Sequence, residues 1–261
     1  MIHGFNCTRN YVRVAVLSSG GKDSTYATWW AIMQGWDVEC LVTVHITGND
    51  SMMFQMTNTA MVSLQASSMG VRWLPVLSNG LEDIEIDDLK KALKGEKNSL
   101  EAFNYIKNEI NSIKYPDDLE IFSGPINVDA IVVGALRSDY QKTRIERMCE
   151  ELGIISYCPL WHNSAEEHMN SLVINGFDVR IVSISTDGME NYWLGRKLDQ
   201  KSLDELISLS KKFRFNLDGE GGEFETIVVA APHFRKEILV FGESEWDRVR
   251  GVWNITSASL E

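Results

Sequence analysis

The chain carries the string Ser19-Gly20-Gly21-Lys22-Asp23-Ser24 between two segments of different periodicity. Before it, Val12-Arg13-Val14-Ala15-Val16-Leu17 reads as a buried strand. After it, Thr25-Tyr26-Ala27-Thr28-Trp29-Trp30-Ala31-Ile32-Met33 reads as a helix. A Gly-Gly turn between strand and helix lets the backbone approach an anion closely, and the free amides of the helix start then face it. Lys22 adds a mobile positive charge, and Ser19 and Ser24 add hydroxyls. The string is therefore a candidate phosphate cradle in an α/β unit. It is not the Walker loop, which needs four residues between its first glycine and the Gly-Lys pair.

The strand–helix alternation continues beyond the cradle. Residues 41–46, 73–76, 130–134 and 154–157 read as strands, and residues 57–69 and 142–152 as helices stopped by Gly70 and Gly153. Such alternation predicts a parallel sheet with helices on both faces and ligands at the carboxyl ends of the strands. The Gly20-Gly21 turn and the segment after Gly134 both lie at such ends. Residues 82–122 interrupt the pattern. They are rich in Glu, Asp, Lys and Asn, with helical spacing of Leu89, Leu93, Ile106, Ile110 and Ile113, and read as an inserted helical pair on the rim, either a lid or a solvated excursion. A second region opens near Trp161-His162. Ser164 with Glu167, and Ser202 with Glu205, have capping-box spacing before two helices. Residues 179–184, 226–230 and 238–241 read as strands. The expected organisation is a nucleotide-binding domain over residues 1–160 and a smaller α/β substrate-binding domain over residues 161–261.

The formal net charge of −12 argues against general nucleic-acid binding, which requires phosphate neutralisation. The four cysteines, Cys7, Cys40, Cys149 and Cys158, form no C-x-x-C pair, which disfavours a zinc ribbon or dithiol site. No window approaches 18 apolar residues and no signal pattern is visible. A soluble, cytoplasmic chain with reduced thiols and no membrane contact is expected.

The order S-G-G-K-D-S resembles the PP-loop of ATP pyrophosphatases, which split ATP into AMP and pyrophosphate. Further strings are similar to one family of PP-loop proteins, the diphthine–ammonia ligases. They are Gly134-Ala135-Leu136-Arg137-Ser138-Asp139-Tyr140-Gln141-Lys142-Thr143-Arg144-Ile145-Glu146, then Cys158-Pro159-Leu160-Trp161, then Trp193-Leu194-Gly195-Arg196, and Asp218-Gly219-Glu220-Gly221-Gly222-Glu223-Phe224-Glu225-Thr226. The stretch Ser51-Met52-Met53-Phe54-Gln55-Met56-Thr57-Asn58 also resembles a family segment, but Gln55 stands where the family has His, so a proton acceptor there is not carried over. The resemblance implies a fold like that of the adenine-nucleotide alpha hydrolases. It also implies ATP with Mg²⁺ and ammonium as reactants. The partner it implies is translation elongation factor 2 carrying diphthine, whose carboxylate becomes an amide; a homodimer would be one way to form a docking surface for it.

A carboxylate is a poor electrophile, and ATP activates it as an acyl-adenylate with loss of pyrophosphate. Catalysis then means stabilising charge on the leaving group and aligning two anions. Ser19, Gly20, Gly21, Lys22, Asp23 and Ser24 suit the phosphates, and Asp23 is the first candidate for Mg²⁺, against the alternative that it caps the following helix. Gly134, Arg137, Ser138, Asp139, Gln141 and Arg144 cluster at a strand end as further nucleotide-binding candidates. Glu220, Glu223 and Glu225 sit among glycines, where carboxylates would attract the trimethylammonium group or the ammonium; which one does which is open. The histidines carry weaker signals: His45 ends a strand, and the spacing of His162 and His168 is not a metal motif. Two other readings stay in play, a tRNA-modifying PP-loop enzyme and a nucleotide-binding regulator without turnover.

Overall fold

The computed structural model describes residues 11–48, 58–248 and 250–261. Its first sheet has five parallel strands, β1 (Arg13–Leu17), β2 (Asp37–Ile46), β3 (Arg72–Ser78), β4 (Ala130–Val133) and β5 (Ile155–Tyr157), in the order β3-β2-β1-β4-β5. A parallel sheet is covered on both faces, so its central strands read as near-continuous apolar runs. Val14, Ala15, Val16, Ile131 and Val132 are indeed fully buried. Alternate residues of β1 serve opposite layers. Val14 and Val16 pack with Ala27 and Ala31 of α1 (Lys22–Met33) and Leu64 of α2 (Val62–Met69). Ala15 and Leu17 pack with Leu89 and Leu93 of α3 (Glu82–Leu93) and Ile145 and Met148 of α5 (Asp139–Leu152). Gly70 and Gly153 end α2 and α5 in the left-handed conformation.

The stretch over residues 82–122 forms α3 and α4 (Ser99–Glu109), both packed against edge strand β3. Leu89 and Leu93 enter one core layer, and Ile106 and Ile113 enter the other. The pair is built into the layers of the sheet, straddling its edge.

The second sheet is antiparallel, β7-β6-β9-β8, from β6 (Asp178–Ile184), β7 (Phe224–Ala230), β8 (Ile238–Asp247) and β9 (Arg250–Leu260). With it pack α6 (Ala165–Ile174) and α7 (Gln200–Phe213). Ser164 caps α6 as expected, accepting from the Glu167 amide at 3.4 Å. The start of α7 corrects the second capping-box reading. Asp199 is the cap, accepting from the Ser202 amide at 2.8 Å, and Ser202 answers by accepting from the Asp199 amide at 2.7 Å. The carboxylate three residues upstream is a cap acceptor too, and it claims the helix start. One apolar core runs through both sheets, joining Val14, Leu64 and Trp73 to Phe177, Ile181, Leu206 and Val228. Among the described residues, no helix is long and apolar enough to cross a membrane.

Candidate active site

Strand order reverses about β1 and β4, and the carboxyl ends of these two strands frame the site. Leu17 lies level with Val133, so the loop beginning at Ser18 and the segment beginning at Gly134 leave the sheet side by side. Between them opens a cleft of about 430 Å³, closed on its far side by residues 219–226 of the second region.

The cradle is held by its own backbone and by β7. Gly20 adopts φ +82°, a conformation that L side chains rarely take. Its amide donates to Ser18 Oγ at 3.3 Å, and its carbonyl accepts from Val228 N at 3.0 Å and Gln65 Nε2 at 3.0 Å. The Lys22 amide donates to Thr226 Oγ1 at 3.1 Å. Gly21 caps α1 and has no side chain to reach the helix amides, and Thr226 takes only the Lys22 amide, which leaves the rest of the positive end of the helix directed at the cleft. At Gly134 the reason for glycine is space: a Cβ there would sit 2.7 Å from Asp23 C and Ser24 N.

Lys22 is buried and its Nζ donates to Asp23 Oδ2 at 2.8 Å. Asp23 Oδ1 pairs at 2.8 Å with Nε2 of His168, from α6. Burial works against the Asp23 charge, but the Lys22 ammonium and the His168 hydrogen bond hold its carboxyl below the usual carboxylate range. Asp23 is thus engaged by its neighbour Lys22 and by His168 of α6, and its side chain is not the cap of α1.

The acidic loop divides its carboxylates. Glu223 turns back on the loop, accepting from Asn216 N at 2.9 Å, Asn216 Nδ2 at 2.7 Å and Gly221 N at 2.8 Å. Glu220 lines the cleft and accepts from Arg137 N at 3.0 Å. Burial, with Asp23 and Asp218 nearby, raises its pKa against the pull of that amide. Glu225 also lines the cleft. Asp218, fully buried, pairs with Arg137 at 2.5 Å and so ties the acidic loop to the end of β4. Ser138 caps α5 through the Gln141 amide at 3.3 Å, and Ser138 and Gln141 face the cleft. Asp139 opens the first turn of α5, and Arg144 stacks on Tyr140 at 4.1 Å. The cleft wall thus takes in Ser19, Gly21, Lys22, Asp23, Ser24, Gly134, Ser138, Gln141, Glu220 and Glu225, whereas Gly20, Arg137, Asp139, Arg144 and Glu223 stand behind or beside it.

His45 bridges Thr59 Oγ1 at 3.1 Å and Glu109 Oε2 at 3.2 Å, a strand-end role. His3, Cys7 and residues 51–57 with Gln55 lie outside the described residues. Among the described residues no three acidic, His or Cys side chains converge as a metal group. Among the described residues each Asp23 oxygen meets a single N–H and so keeps a lone pair, which suits an ion that brings most of its ligands with it. Four participants escaped the sequence reading. Ser18 adjoins the cradle string, and Thr226 and Asp218 lie inside the acidic one, so their polar character was the available signal. His168 had none, because its partner is 145 residues away.

Residues 12–113 and 99–156 match the diphthamide synthase N-terminal domain, and residues 164–260 match the diphthamide synthase C-terminal domain. The chain is 30% identical over 237 residues to the diphthine–ammonia ligase of Homo sapiens, covering 88% of this chain and 83% of that one. It is 30% identical over 234 residues to that of Schizosaccharomyces pombe, covering 88% of this chain and 36% of the other, so it spans little more than a third of that relative's length. A solved structure described as a predicted subunit of tRNA methyltransferase from Methanocaldococcus jannaschii aligns with a TM-score of 0.40 at 15% identity, over 85% of this chain and 98% of that one.

Proposed function

The chain belongs to the diphthamide synthase family, and from that membership we propose that it is the ligase that amidates diphthine on translation elongation factor 2, consuming ATP and releasing AMP and pyrophosphate. One observation supports this reading most directly: a glycine-built anion cradle and an acidic loop from the other sheet face each other across one cleft. The two halves suit reactants of opposite charge.

The amides at the start of α1, the Ser19 and Ser24 hydroxyls and the Lys22 ammonium take the triphosphate. In a partly dry cleft they stabilise the charge that grows on the departing pyrophosphate. For this Lys22, which gives one of its three N–H groups to Asp23, turns toward a phosphate oxygen. Ser138 and Gln141, at the start of α5, line the path to the α-phosphorus, where the diphthine carboxylate attacks. Mg²⁺ arriving with ATP would draw a carboxylate oxygen from Asp23 and offset phosphate charge. Glu220 and Glu225 face the second half-reaction. They attract the trimethylammonium group and the ammonium, and Glu220, with its raised pKa, accepts a proton as ammonia attacks the acyl-adenylate. Glu223 shapes the loop that presents them.

The test uses ATP labelled at the α-phosphate, Mg²⁺, ammonium and elongation factor 2 in its diphthine form. Expected are labelled AMP and a loss of about one dalton from the modified peptide, with Lys22→Ala slowing AMP formation roughly 100-fold or more. AMP without the amide would move the chemistry to another carboxylate. ATP binding with no AMP under any condition would leave a nucleotide-binding regulator.

A further inference from the structure

His168 takes no part in the chemistry above, yet it is the side chain that α6 sends to the cradle. The ring is 1% exposed, with Nε2 2.8 Å from Asp23 Oδ1. Among the described residues its Nδ1 is buried without a hydrogen-bond partner. A buried N–H lacking an acceptor is costly, and in either the Nε2–H tautomer or the imidazolium it is Nε2–H that donates to Asp23. Tyr26 meets the ring edge-on at 5.1 Å, and its hydroxyl lies 2.7 Å from Ser171 Oγ, which pins α6 to α1 and fixes the ring. Asp23 therefore has one donor from each side: His168 on Oδ1 and Lys22 on Oδ2.

Those two donors are not equivalent once a triphosphate arrives. The phosphates compete with Asp23 for the Lys22 ammonium. In the absence of Mg²⁺, a largely buried carboxylate stripped of its last donor is strongly disfavoured, so without His168 the aspartate would hold on to the lysine. We propose that His168 is a positioning residue that keeps Asp23 satisfied, so that Lys22 is released to the phosphates. This rests on the ATP reading of the cleft and adds to it a reason why the second sheet's helix reaches the cradle.

The measurement is the affinity for a non-hydrolysable α,β-methylene ATP without Mg²⁺ by calorimetry, with thermal unfolding of every variant alongside. His168→Leu keeps the bulk and removes the donor, and should weaken binding roughly tenfold. His168→Gln restores an N–H within reach of Asp23 and should return affinity to within about threefold. In an Asp23→Asn background no charge competes for Lys22, so adding His168→Leu should change nothing, a coupling that a purely structural role would not produce. Unchanged affinity in His168→Leu, the same loss in the Asp23→Asn background, or no recovery in a folded His168→Gln overturns the proposal. Should His168→Leu fail to fold, His168→Met takes its place in both backgrounds, removing the same donor with a more adaptable side chain. If the wild type itself does not bind the analogue, the ATP reading fails first, and this proposal with it.

Discussion

Glu220 turns into the cleft while Glu223 turns back on its own loop, although both belong to one short acidic string. Residue type alone could not separate them, because both are glutamates among glycines and the difference lies in which amides fall within reach. The separation has a titration consequence. Burial raises the Glu220 pKa above its ordinary 4.5, so the folded protein keeps a proton there over a range in which the unfolded chain has already lost it. The folded state binds more protons in that range, and stability falls as pH rises through it. Glu220→Gln removes the titrating group. The difference in unfolding free energy between variant and wild type should therefore grow in the variant's favour as pH climbs from about 4.5 toward 7. Urea unfolding at a series of pH values checks this, and a flat difference would refute it. The same variant should lose amide formation while retaining ATP binding, since the cradle proposed for the phosphates lies on the other wall.

At the scale of elements, the first sheet was legible because a strand buried on both faces must be apolar at every position, and a helix covering it must repeat its apolar residues. The runs at Val14–Leu17 and Ile131–Val133 leave little choice. What escaped was β9, whose buried residues include Trp253 and Ala258 among many exposed neighbours; its existence depends on pairing with β8 across a turn, which no local period announces. The start of α7 shows a subtler failure. Ser202 and Glu205 have the spacing of a cap pair, but Asp199 three residues earlier forms the reciprocal bonds with Ser202. Asp199→Ala should therefore cost about 1 kcal/mol in denaturant unfolding. Glu205→Ala should cost less, because that carboxylate meets Arg196 and Tyr192 at the surface, where such pairs contribute little. Equal losses would return the cap to Ser202.

At the scale of the molecule, the cradle belongs to both sheets. Its loop leaves the parallel sheet, but Thr226 and Val228 of β7 hold it, Gln65 bridges the Gly20 and Val228 carbonyls at 3.0 and 2.8 Å, and Asp218 ties the end of β4 to the acidic loop. The apolar core passes without a break from Val14 and Trp73 to Phe177 and Val228. A sequence read in two segments suggests two folding units; a shared core couples them, because exposing one face of it strips the other. The expected consequence is one unfolding transition. The eight tryptophans report on both halves, four from residues 29–73 and four from residues 161–253. Tryptophan fluorescence and far-ultraviolet circular dichroism should therefore trace coincident curves in urea. ATP at 100 times its dissociation constant should shift the whole transition by about 2.7 kcal/mol instead of moving a part of it. A fragment of residues 1–160 should lose ATP binding even where it keeps helix and strand, since the cradle's hydrogen bonds to β7 leave with the second sheet. Two separated transitions, or a fragment that binds ATP as the full chain does, would show that the cradle stands on the parallel sheet alone.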